Sequence, residues 1–290
     1  MSVDLVKTGL RAYAIKPKYW RPGANYVLEI VKSVSGKILD GDFLVVSEKA
    51  VSVALGNIVD ESRVHPSLNA KIIAKIWMPI VWGYILGFLC RLRPKLIQQL
   101  RNYPRDAGNR HKQVALQHAG LMQALMFGSE GGIDGSNLPY AYVSLPLENA
   151  QRVAEEIRRK ICEVLGKNVC VIIADTDKTY SFRSFHFTPR PKPITGIHSF
   201  GGFISYLTGR ILKLKRRATP LAVAGCPLSA EGALEIAEFA NRARGCGAGR
   251  TVWEMAERFG VGLTEVSWEM LEAVEHKPIV IVRKTHKYRA

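Results

Sequence analysis

Two aspartates stand where carboxylates could serve metal or phosphate chemistry. Asp134 lies in the glycine-rich run GGIDGSN at 131–137, where neighbouring glycines let the backbone come close to a ligand. Asp175 follows directly on NVCVIIA at 168–174, an apolar stretch of strand character that can hold a carboxylate at a pocket edge. Hard cations such as Mg2+ or Mn2+ take oxygen ligands and leave room for substrate phosphates, so Asp134, Asp175 and the adjacent Thr176 would suffice for one. The same spacing fits a plainer reading in which each aspartate caps a turn.

Such groups need a scaffold, and the hydrophobic pattern supplies one. Residues 26–34 (YVLEIVKSV) have helical spacing, and the turn Asp40-Gly41-Asp42 leads into FLVVS, a short buried strand. Residues 148–165 place Val153, Ile157, Ile161 and Val164 on one helical face and stop at Gly166. A second helix is expected over 230–244, with Ser229 as N-cap and Gly245 as its stop. Residues 252–259 and 267–274 read as helical, and IVIVR at 279–283 as a last strand. The basic stretch 101–113 reads as an exposed connection, 114–127 as a helix or a strand pair, and 179–217 as a long aromatic and basic excursion. Helices and strands mix without strict βαβ alternation, which favours α+β over a doubly wound sheet.

Composition narrows the partners. Hydrophobic residues make up 47% of the 290, enough for a sizeable core and too many for a disordered chain. The 41 Lys and Arg against 25 Asp and Glu leave a formal charge of +16, which favours anionic partners without choosing among them. Five scattered cysteines with no C-x-x-C pair argue against a disulfide framework and a zinc site, and point to a reduced cytoplasm. The opening Met-Ser-Val-Asp lacks the basic and apolar regions of a secretory signal.

Residues 76–90 (IWMPIVWGYILGFLC) carry no charge and fall between a core helix and a spanning one in length. Pro79, Gly83 and Gly87 weaken a continuous helix. Burial in the protein or at a subunit contact is the expected fate. Trp77, Trp82, Tyr84 and the flanking Arg91, Arg93 and Lys95 make membrane-surface contact through 72–95 the rival.

Four segments in order carry a resemblance: GDFLVVSEKAVS at 41–52, GGIDGSN at 131–137, AEEIRRKICEVLGKNVCVIIADT at 154–176 and KPIVIVR at 277–283. Together they resemble the coenzyme F420-0:L-glutamate ligase (F420 gamma-glutamyl ligase) family. Its members typically show GD-VLVVTQK-VS, AG-D-SN, a helix leading into VIITDT, and a late PVVIVRG strand. The resemblance implies a mixed-sheet α+β fold in an intertwined homodimer. The implied activity is GTP- and metal-dependent joining of glutamate to an F420-like deazaflavin coenzyme. It implies Asp134 and Asp175 as metal ligands with Thr176 beside them, and Asn137, Ser47, Glu48 and Ser52 along the nucleotide. Lys49 is a candidate phosphate contact and fits equally a solvated surface lysine. The family's W-R-G run after the TDT segment is replaced here by TDKTYSFRSFHF, in which Arg183 falls near an expected arginine and could meet substrate. Residues 1–290 then form one catalytic unit, which could comprise two interleaved subdomains, with 66–113 as an apolar and then basic insertion. A relative that binds nucleotide or another anion without ligation, and a membrane-associated scaffold, are the competing functions.

Other signals carry less. GCGAGRT at 245–251 lacks the strand, first glycine and lysine of a Walker A loop, and reads as a turn between helices. The seven histidines show no metal spacing, though His186 and His198 could touch substrate. Cys226 has no evident partner base. GRILKLKRR at 209–217 comes without a recognised nucleic-acid module, so nucleic acid is not an expected partner.

Overall fold

A computed structural model describes residues 5–7, 9–128 and 130–285. The leading Met-Ser-Val-Asp lies outside the described residues. Among the described residues ten strands appear in chain order: β1 (Leu5–Lys7), β2 (Leu10–Ile15), β3 (Phe43–Ser47), β4 (Ile58–Asp60), β5 (Tyr142–Ser144), β6 (Cys170–Phe182), β7 (Phe185–Thr188), β8 (His198–Ser199), β9 (Lys215–Ala224) and β10 (Ile279–Lys284).

FLVV and CVIIA, in β3 and β6, are apolar because both faces of their strands are covered. Alternation assigns the faces. Leu44, Val46, Val171 and Ile173 pack under the helices Tyr26–Val34 and Ala150–Leu165. Phe43, Val45, Ile172 and Ala174 pack under the helix Ala230–Arg244. The sheet runs β1-β2-β10-β3-β6, with β9 on the other side of β6, and β7 and β8 beyond its far half. Its β3–β6 pair is parallel, while β10 pairs antiparallel with both β2 and β3, so the sheet is mixed as expected of an α+β fold.

β6 does not end at Asp175. Parallel pairing with β3 stops at Ser47↔Ala174, and the register to β9 then shifts between Asp175 and Lys178. This bulge leaves Thr176 and Asp177 extra on one strand, a common device for re-aiming side chains near a site. The 179–217 stretch is likewise more regular than its prolines suggest. It completes β6, forms β7, and adds the helix Phe203–Ile211 before β9. Tyr180 and Phe187 pair across β6 and β7 and are buried there, so the aromatics serve the sheet.

The segment 66–113 is helical. Leu68–Leu89 runs as one helix whose middle, Ile73–Leu86, adopts the wider π-turn and accommodates Pro79. The helices Pro94–Arg101 and Arg105–His118 pack on it around Met78, Trp82, Leu100 and Val114. The indole N–H groups of Trp77 and Trp82 both donate to the Leu125 carbonyl, at 2.8 and 2.7 Å. By length and composition this helix could cross a membrane, yet a third of its most apolar window (33%) is buried. Leu68, Ile72, Ile76, Ile80 and Tyr84 form an outward stripe at i, i+4 spacing. One face is therefore core, in line with burial, and the opposite face is exposed.

The expected connection at 101–113 is instead mostly the start of Arg105–His118, in which Asn109, Lys112 and Gln113 are buried. Polarity misleads here because His111 and Lys112 meet buried glutamates rather than water. Helix continues to His118 and resumes at Leu121–Ala124, which settles the 114–127 ambiguity against a strand pair. Cys170 and Cys226 form a disulfide tying β6 to the turn after β9, against the expectation of reduced cysteines. Their 56-residue separation hides that the antiparallel β6–β9 pairing brings them together.

Candidate functional site

A cleft of about 950 Å³ opens beside the β6 bulge. Its floor carries Ser47 and Lys49 from the β3 end, Asp134–Asn137 from the glycine-rich turn, and Thr176–Lys178 from the bulge. The 244–252 loop with His276–Pro278 forms one wall, and Glu61, Tyr103 and His111 also line the cleft. Tyr19, Tyr140, Tyr142 and Trp253 add aromatic surface, and Arg244 and Arg250 add positive charge. A planar, anionic ligand matches that lining.

Lys49 reaches Asp134 in a close ion pair and also donates to the Ser136 hydroxyl at 2.9 Å and carbonyl at 3.1 Å. Asp134 accepts the Ser136 N–H at 2.7 Å and the Ser136 hydroxyl at 3.1 Å. The Lys49 ammonium thus stands fixed on the floor, about one-fifth exposed (20%), with its three donors on Asp134 and Ser136.

Beneath the floor lies a charge cluster in which Glu48 and Asp175 meet an arginine that sequence reasoning missed. Arg190 is 2% exposed and sends its Nε to Asp175 Oδ2 at 2.8 Å, Nη2 to Glu48 Oε1 at 3.0 Å, and Nη1 to the Gly131 carbonyl at 2.7 Å. Asp175 Oδ1 receives the Asp177 N–H at 3.4 Å and the Thr176 hydroxyl at 3.5 Å. Glu48 also accepts the Leu147 N–H at 2.5 Å. Burial pushes the Glu48 carboxyl up to about 7, with Arg190 opposing and Asp175 adding to the shift. Gly132, at φ +101, lies against the guanidinium: a Cβ there would stand 2.5 Å from Arg190 Cζ. The glycines expected to admit a ligand thus admit an arginine. Arg190 sits alone between Pro189 and Pro191 in a proline-rich stretch, and nothing local marks it.

The second missed cluster joins the helical insert to the same turn. His111 Nδ1 meets Glu61 at 2.6 Å, its Nε2 makes a close contact with Glu130, and Lys112 Nζ reaches Glu130 at 2.6 Å. Burial opposes charge on His111, but Glu130 and Glu61 outweigh it and hold the imidazole well above its usual range. Burial also works against ionisation of Glu130, yet His111 and Lys112 bring its carboxyl down to about 2.

The remaining expected residues divide plainly. Asn137 lines the cleft with both side-chain atoms spent: Oδ1 accepts the Ala248 N–H at 2.6 Å, and Nδ2 donates to the Gly249 carbonyl at 2.9 Å. It clamps the 245–251 loop, which joins the helices Ala230–Arg244 and Val252–Phe259 as a turn. Ser52 is fully buried and donates to the Leu145 carbonyl at 2.6 Å, away from any ligand. Arg183 is exposed on the tight β6–β7 turn at φ +53, outside the cleft lining. His186 is buried against Ser181 at 2.9 Å, and His198 stacks on Phe185. Ser47, Lys49, Asp134, Asn137 and Thr176 are thus brought together, and Glu48, Ser52, Asp175 and Arg183 are not at the cleft surface.

The donor set does not fit a divalent ion. Asp134 and Asp175 are each engaged by a side-chain cation and by further hydrogen bonds. Among the described residues no three His, Cys, Asp or Glu side chains stand together as a metal would need.

The family model for F420-0:gamma-glutamyl ligase matches residues 14–224, most of the sheet and the whole cleft floor. The chain belongs to the F420-0:gamma-glutamyl ligase family. It is 36% identical over 97% of its length to an uncharacterised protein of Methanocaldococcus jannaschii, covering 98% of that protein. It is 32% identical to the coenzyme F420:L-glutamate ligase of Archaeoglobus fulgidus, covering 48% of this chain and 49% of that enzyme. With the Methanopyrus kandleri enzyme of the same name the figures are 29%, 54% and 55%. The match to the named ligases thus spans about half of each. The gamma-glutamyl ligase region carries Ser47–Ser52, Asp134–Asn137 and Asp175–Thr176, while the 244–252 loop and His276–Pro278 fall beyond it.

Proposed function

We propose that this protein is a GTP-dependent acid–amino-acid ligase acting on a phosphate-bearing, F420-like coenzyme with glutamate as the amine. The observation that carries the reading is the convergence of three family-matched segments, Ser47–Lys49, Asp134–Asn137 and Thr176–Lys178, on the floor of one basic, aromatic cleft.

Amide formation needs an activated carboxylate. The γ-phosphoryl group of GTP passes to the substrate carboxylate, leaving GDP and an acyl phosphate. The glutamate amine then attacks the acyl carbon, phosphate departs with the bonding pair, and the amine loses its proton to solvent. Lys49 offers a fixed positive charge to the phosphoryl oxygens, and the aromatic wall holds the planar rings in place. The wall outside the family match, Arg244–Val252 with His276, sets which anion is accepted. There burial, with Arg244 adding, lowers the His276 pKa to about 3, so that wall presents a neutral imidazole. The homodimer implied by the resemblance belongs to this reading and is checked by light scattering.

A second reading, binding without ligation, is supported by the engaged Asp134 and Asp175. Incubation with GTP, glutamate and an F420-type acceptor, with and without Mg2+ or Mn2+, separates the two by mass spectrometry. Glutamyl-extended product with matching GDP supports ligation. Calorimetric GTP binding without product supports the second reading, and no binding of either GTP or acceptor sinks both.

A further inference from the structure

We infer that Arg190 is a built-in cation on Asp175, one of the two carboxylates that the family resemblance assigns to a divalent metal, so that this protein binds phosphate through cleft side chains without a metal ion. The inference concerns charge compensation at the site and stands whether or not ligation occurs.

The guanidinium is seated by directed contacts rather than by proximity. Its Nε, Nη1 and Nη2 each have an acceptor within 3.0 Å, on Asp175, Gly131 and Glu48. The backbone at both ends of the contact is adapted to it. Arg190 N donates to Thr188 Oγ1 at 3.1 Å, pinning the residue to the end of β7, and Thr188 is itself fully buried. On the other side, Gly132 leaves no room for a side chain beside the guanidinium. A planar fork spanning two carboxylates is the geometry for which arginine is suited.

A metal would have to displace that fork. Mg2+ also gives up its waters reluctantly and wants several oxygens in near-octahedral array, whereas both Asp175 oxygens already accept hydrogen bonds. Asp134 is likewise engaged by Lys49 and Ser136. Arg244 and Arg250 remain on the cleft lining as cations for a ligand's phosphate.

The test uses the full chain and two probes, Mn2+ alone and inorganic pyrophosphate. Free Mn2+ is followed by its EPR signal, which binding suppresses. Wild-type protein is expected to bind Mn2+ weakly and to bind pyrophosphate about equally in EDTA and in Mg2+. Arg190→Ala, which frees Asp175 and Glu48, is expected to gain Mn2+ affinity by about tenfold or more, and Arg190→Ala/Asp175→Asn to lose that gain. Tight Mn2+ binding by wild type that disappears in Asp175→Asn overturns the inference, as does pyrophosphate binding that requires Mg2+. A folded Arg190→Ala with no gain in Mn2+ affinity also overturns it. Should Arg190→Ala fail to fold, the two wild-type titrations and Asp175→Asn decide. Failure of glutamyl transfer would remove the proposed ligation and leave these titrations unaffected.

Discussion

On the sheet side of the cleft one guanidinium serves two carboxylates, Glu48 and Asp175; on the insert side two carboxylates, Glu61 and Glu130, meet two cations, His111 and Lys112. The first cluster carries a formal excess of negative charge, and burial raises the Glu48 pKa to about 7 so that a proton can relieve it. The second is balanced, and its Glu130 stays ionised. The cations differ as well. Arginine holds its charge at any working pH, whereas histidine does not. In the sheet cluster Arg190 is therefore a fixed charge with Glu48 titrating beside it, and the insert cluster is a joint between the helical segment and the glycine-rich turn that titrates at His111.

The largest effects come from removing a bridging group. Arg190→Ala and Glu130→Ala should each cost ~3–5 kcal/mol, because each leaves buried charges without a partner. Chemical denaturation measures this, and an undiminished midpoint in either would reduce that cluster to ornament. Next, Gly132→Ala should cost about 1–3 kcal/mol, since it strains φ +101 and pushes a methyl against Arg190. If the cost persists in an Arg190→Ala background, the strain lies in the backbone and not in the arginine seat.

The pH dependence separates the clusters directly. His111 has a raised pKa when folded, so its contribution is complete below the unfolded value of 6.5 and is lost as pH rises through the folded one. Glu48, also raised, loses its contribution between 4.5 and about 7. Between about pH 7 and 9, below the range where Cys90 and the buried tyrosines begin to contribute, melting temperature should thus fall through His111, and His111→Gln should flatten that limb. A limb of unchanged slope in His111→Gln would remove the titratable joint. The smallest effect is expected from Asn137→Ala, about 1 kcal/mol for the lost loop hydrogen bonds, with the change concentrated in hydrogen exchange of 245–251.

Legibility followed the range of the interactions. Asp134 and Asp175 were visible as chemistry-bearing residues, but their engagement with Lys49 and Arg190 was not. His111 and Lys112 looked like surface residues because a polar helix face gives no sign of the glutamates that receive it. Asn137 was visible as a site residue and proved to be a clamp.

The sequence by itself determined the elements whose signals are local. The helical face of Val153, Ile157 and Ile161, the Gly166 stop, and the doubly buried strands FLVVS and IVIVR all follow from periodicity and backbone preference. The ordered motifs likewise determined the family. Only the tertiary structure decided what those motifs hold. Arg190 meets Asp175 from 15 residues away and Glu48 from 142, and Cys170 on β6 meets Cys226 in the turn after β9. Charge pairing and sulfur bonding depend on which side chains folding brings together, and no local spacing encodes that choice.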